Sequence, residues 1–118
     1  MEGELDLQLE YAGQNPQSHN NIALEFGFDA SVVAWSEDEE VRADIRRLLS
    51  HALDCPEIGG KALKDLDLSG EEPFNLSTAI IEDMDMEDLK LPKGTNLSNA
   101  CFVGCNVLGV SFKDCVTE

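Results

Sequence analysis

A chain of 118 residues has room for one domain with a core of its own, or for a short solenoid with a cap. Its 24 acidic and 8 basic residues give a formal charge of −16. That balance argues against DNA, RNA or an anionic membrane as a direct ligand, because each needs Lys and Arg facing phosphate, and it favours a basic partner.

The first residues, MEGELDLQLE, show neither the basic start nor the apolar stretch of a secretory leader. No run approaches the ~18 apolar residues of a membrane span, so a cytoplasmic location is expected. Residues 4–11 alternate strictly, with Leu5, Leu7, Leu9 and Tyr11 on one face, which predicts a half-buried strand. Gly13 to Asn21 is a turn-rich loop around Pro16. IALEFGFD then sets Ile22, Leu24, Phe26 and Phe28 on one side, predicting a second strand and an antiparallel hairpin.

A helix is expected next, over SEDEEVRADIRRLLSHAL. Ser36 and Glu39 stand at capping-box spacing, and acids crowd the first turn. Val41, Ile45, Leu48, Leu49, Ala52 and Leu53 make its apolar stripe, which should end near residues 54–56 before the breaker Glu57 to Gly60. Residues 1–60 thus read as a hairpin-plus-helix capping module, and residues 61–118 as a second unit.

Residues 61–118 follow a period of five. Between Thr95 and Asp114 the chain divides into TNLSN, ACFVG, CNVLG and VSFKD. Upstream lie KALKD, LDLSG, FNLST, AIIED, MDMED and LKLPK, once Glu71–Pro73 and Gly94 are treated as insertions. The third residue of every unit is apolar: Leu63, Leu68, Leu76, Ile81, Met86, Leu91, Leu97, Phe102, Val107 and Phe112. Asn, Asp, Gly and Ser supply the turns that so short a period demands.

These units resemble the pentapeptide-repeat family. The resemblance implies a right-handed quadrilateral β-helix over residues 61–118, four units to a turn, with first and third residues inward. Large first residues (Leu66, Phe74, Met84, Leu89) depart from the family pattern, and a left-handed β-helix or an irregular α+β layer is the alternative for residues 61–93. A solenoid must cover its apolar ends. Residues 1–60 stand ready to cap the first coil, whereas Val107, Val110, Phe112 and Cys115 at the last one predict a homodimer interface, an arrangement the family often uses.

Units four apart share a face in such a coil, which stacks Ile80 on Cys101 with Val103 nearby. Glu82, Asp83, Asp85, Glu87 and Asp88 project around one corner, and Glu37, Asp38, Glu39 and Glu40 open the helix. Carboxylates so arranged could imitate a line of phosphates. The expectation is a non-enzymatic, DNA-mimic-like inhibitor that occupies the basic nucleic-acid-binding surface of a partner, in the manner of phage or mobile-element proteins that disable CRISPR or restriction systems. The alternatives are a scaffold or effector module that docks through the apolar strip, and a ligand of DNA gyrase, which some members of the family bind.

Catalysis has little to draw on, since His51 beside Arg46 and Arg47 has no evident nucleophile or acid, and there is no Gly-rich phosphate loop. Cys55, Cys101, Cys105 and Cys115 form no CxxC, and His19 and His51 are the two imidazoles available. No metal or other cofactor is expected, and the cysteines read as small apolar fillers.

Overall fold

The computed structural model describes residues 21–117. The expected strand over residues 4–11, together with His19, lies outside the described residues.

Asn21 decides the first element. Its Oδ1 accepts hydrogen bonds from the Ala23 and Ala34 amides, each at 3.0 Å, while its Nδ2 donates to the Val32 carbonyl at 2.6 Å. The Asx cap starts a single helical turn, α1 (Ile22–Glu25), where a strand was expected. The strand comes later, as β1 (Val33–Trp35), and Asn21 accepts from its Ala34 amide.

Helix α2 (Glu39–Leu49) begins two residues beyond the expected cap. Asp38 is the N-cap, accepting from the Glu40 amide at 2.9 Å, while Ser36 Oγ accepts from the Asp38 amide at 3.1 Å. Val41, Ile45, Leu48 and Leu49 face the core as their spacing requires, and Arg46 and Arg47 occupy the last turn. The helix stops at Ser50, so Leu53 leaves the stripe, joins β2 (Leu53–Cys55) and stands 57% exposed. A 3-10 turn over Pro56–Ile58 and a left-handed Gly59 return the chain as β3 (Gly60–Ala62), antiparallel to β2.

The quadrilateral β-helix is not formed. Beyond β3 the described chain contains two further short strands, β4 (Ile80–Glu82) and β5 (Cys101–Val103). With β1 they make a mixed three-stranded sheet of order β1–β4–β5, in which β4 pairs antiparallel with β1 and parallel with β5. Among the described residues the architecture is a small α+β fold of two sheets and two α-helices. A regular coil needs constant phase between turns, and the insertions at Glu71–Pro73 and Gly94 break it. The chain meets itself elsewhere in this region through isolated parallel bridges: Asp67 with Lys90, Asn75 with Asn96, Asp85 with Asn106, and Asn96 with Val116. The bridged residues are 23 apart at the first pair, 21 at the next two and 20 at the last, so the interval shifts across the insertions.

The five-residue spacing nevertheless governs burial and turns. Phe74, Leu76, Ala79, Ile81, Met84, Met86 and Leu89 are all buried, alternately two and three residues apart. Asp65, Thr78, Asp83, Asp88 and Asn99, each fifth in its unit, sit at φ of 60 to 64°, the left-handed region that Asp and Asn enter more readily than other side chains and that the β-branched Thr78 enters at a cost. One continuous core runs from Ile22 through α2 to Leu97, and Phe102, Cys105, Val110, Phe112 and Cys115 pack against it half-covered.

Candidate partner-binding surfaces

Two acidic groups reach the surface, at opposite ends of the β1–β4 pair. Because β1 runs antiparallel to β4, with Val33 opposite Glu82 and Trp35 opposite Ile80, the chain leaves β1 at the Thr78 end. There Ser36 Oγ lies 3.0 Å from Thr78 Oγ1, and Glu37, Asp38, Glu39 and Glu40 follow, all exposed. Glu82 and Asp83 close β4 at the other end. Four residues of extended chain, roughly 13 Å, separate the two groups.

The second group is built by the turns themselves. Asp83 bends the chain at φ 60° while its amide donates to the Val103 carbonyl at 2.9 Å. Asp85 Oδ1 accepts from the Glu87 amide at 3.1 Å, and Asp88 turns the chain again at φ 60°. Asp83 and Asp88 thus mark two successive turns, with Asp85 and Glu87 between them and Glu82 just before the first. Glu87 Oε1 stands 3.8 Å from Lys64 Nζ, and the Glu87 and Asp85 carboxylates hold the Lys64 ammonium above its ordinary range. Among the described residues the other four carboxylates make no ion pair.

Asp65 belongs to this surface and is missing from the expected set. Its amide donates to the Glu87 carbonyl at 2.8 Å, so it lies alongside Glu87 and Asp88, exposed and at φ 62°. Its place, fifth in KALKD as Asp88 is fifth in MDMED, carried the signal.

The residues expected at a dimer interface divide into two kinds. Val107 is 36% exposed, whereas Val110, Phe112 and Cys115 are half-buried. Phe112 lines an internal space with Met86, Leu91 and Phe102, so part of it serves the chain's own core. The more open apolar residues of this end are Leu108, at 69%, and Val116, at 47%. Burial pushes the Cys105 and Cys115 thiols up.

His51 lies at the end of α2 with Nε2 3.9 Å from Glu71 Oε1. Among the described residues no group of three or more His, Cys, Asp or Glu side chains is placed to hold a metal ion, and no helix is long and apolar enough to cross a membrane. No family model, curated protein or solved structure matches the chain, so its likeness to pentapeptide-repeat proteins rests on the five-residue units alone.

Proposed function

We propose that this protein is a non-enzymatic acidic ligand that occupies the basic nucleic-acid-binding surface of a partner in the cytoplasm and inhibits it. The observation that carries this reading is the acidic run Glu82–Asp88, joined by Asp65, where successive turns hold Asp65, Asp83 and Asp88 exposed and Glu82, Asp85 and Glu87 half-buried on a fixed backbone, with Lys64 paired to Glu87. Fixed anions pay less ordering entropy on meeting Lys and Arg than anions on a mobile tail do. They also steer a basic partner in from a distance. Nucleic-acid-binding machines of bacterial defence are the partner class that the charge suits. A homodimer joined through the end bearing Leu108 and Val116 belongs to the same proposal.

A pull-down from a bacterial lysate, run with and without added duplex DNA, tests it. Recovery of a nucleic-acid-binding protein that DNA abolishes is the expected result. A partner retained equally in DNA and in high salt would overturn it and favour docking through an apolar face.

A further inference from the structure

The solvent side of the β1–β4–β5 sheet presents Val33 and Trp35, Ile80 and Glu82, and Cys101 and Val103. Five of these six are apolar. A sheet face left to water ordinarily carries polar residues in alternation with the buried ones. Here the inward Ala34 and Ile81 are 0% and 1% exposed, while the outward Val103 is 50% exposed and Trp35 and Ile80 are half-buried, Trp35 packing in part against the core. The Arg42 guanidinium lies 4.8 Å from the Trp35 ring centroid and donates to the Ser36 carbonyl at 2.8 Å, so one side of the indole already carries a cation. Both ends of the face are acidic, Glu37 to Glu40 at one and Glu82 with Asp83 at the other. None of these carboxylates is ion-paired among the described residues.

We infer that this face docks a basic amphipathic segment of a partner protein, its apolar side across Trp35, Ile80 and Val103 and its Lys or Arg side chains against the carboxylates at the two ends. The inference rests on reading the chain as a ligand of basic partners, and it supplies an apolar anchor that charge alone lacks. Charge also selects among occupants. Residues 1–20 carry Glu2, Glu4, Asp6 and Glu10 and no Lys or Arg, so they would add carboxylates to an acidic rim. A second copy seated on this face would set the same acidic rim, Glu37 to Glu40 with Glu82 and Asp83, against itself. A Lys- and Arg-bearing segment meets the rim with opposite charge.

Trp35 is the chain's single tryptophan, so its emission reports on this face. The test is a titration of the full chain with a synthetic peptide of leucine and lysine at helical spacing, with polylysine in parallel and calorimetry to detect binding at any site. The amphipathic peptide is expected to move Trp35 emission to shorter wavelength, and Val103→Ser to weaken its binding about fivefold, close to 1 kcal/mol. Calorimetric binding with unchanged emission would overturn the inference while leaving the proposed function standing. An equal shift with polylysine would remove the apolar anchor and overturn it too. Emission that depends on protein concentration without peptide would assign the face to a second copy. A shift on Leu7→Glu without peptide would assign it to residues 1–20, and either result also sinks the inference. If the peptide docks as expected but the partner recovered from lysate ignores DNA, the proposed function fails and this surface survives.

Discussion

Gly109 has φ +79°, and a Cβ built on it would stand 2.0 Å from Asp88 Oδ1. Gly59, at φ +74°, has nothing within 4 Å of the same position. Gly109→Ala should therefore cost more than Gly59→Ala, about 2 to 3 kcal/mol against about 1, read from urea midpoints. Asp88→Gly should recover part of the Gly109→Ala loss, because it removes the carboxylate and suits the positive φ of Asp88. At Cys55 the thiol donates to Glu57 Oε1 at 2.7 Å, and that carboxylate pushes the thiol up while the bond holds Glu57 down. A raised thiol pKa means less thiolate at a given pH, so Cys55 should be alkylated slowly by iodoacetamide. Glu57→Gln removes the anion, lowers the thiol pKa and should speed alkylation at that site, as read by peptide mapping at mildly alkaline pH. An unchanged rate would show that the hydrogen bond does not govern the thiol.

Helix α2 is fastened to the five-residue region by two side chains. Asp44 Oδ2 accepts from the Asn75 amide at 2.6 Å, and the Arg47 guanidinium lies 4.1 Å from the Phe74 ring centroid while donating to the Pro73 and Glu72 carbonyls. Asp44→Ala leaves a backbone N–H without its acceptor and should cost about 1 to 3 kcal/mol in chemical denaturation. A change within experimental error would mean that this bond adds nothing to what Arg47 and the apolar face already hold. That face was legible from the spacing of Val41, Ile45, Leu48 and Leu49, since helical periodicity depends on neighbours in sequence. Ile80 opposite Cys101 was also legible, from units that recur at near-constant distance. The placement of α1 was not: IALEFGFD alternates like a strand, yet Asn21 takes its partners from Val32 and Ala34, across a loop that periodicity does not see. For the same reason Val33 and Trp35, outside the repeat, gave no sign that they would extend the strip of Ile80, Cys101 and Val103. The β-helix expectation failed at the insertions, where local pattern persists through burial and turns but the phase between turns does not.

At the scale of the whole molecule, the two surfaces that matter are the acidic run and the C-terminal apolar end. The end bearing Val107, Val110, Phe112 and Cys115 is the expected contact between copies, and Leu108→Glu beside them is the clean probe of it, because Leu108 is more open and Phe112 also packs inward. Sedimentation should show a dimer for the native chain and a monomer for Leu108→Glu; a native chain that sediments as a monomer would remove the contact. The acidic run lies upstream of that end, and its carboxylates were readable from AIIED and MDMED, whereas Asp65, brought beside Glu87 by a long-range backbone bond, was not read. The role of the run is tested most directly by replacing Glu82, Asp83, Glu87 and Asp88 with Gln and Asn, which keep the shape and the tolerance for positive φ. The measurement is the affinity for the partner captured from lysate, taken against salt and against duplex DNA. The native chain should lose affinity steeply as salt rises and be displaced by DNA, and the neutralised chain should bind about ten- to a hundredfold more weakly at low salt. Equal affinity of the two chains, unaltered by DNA, would contradict the account.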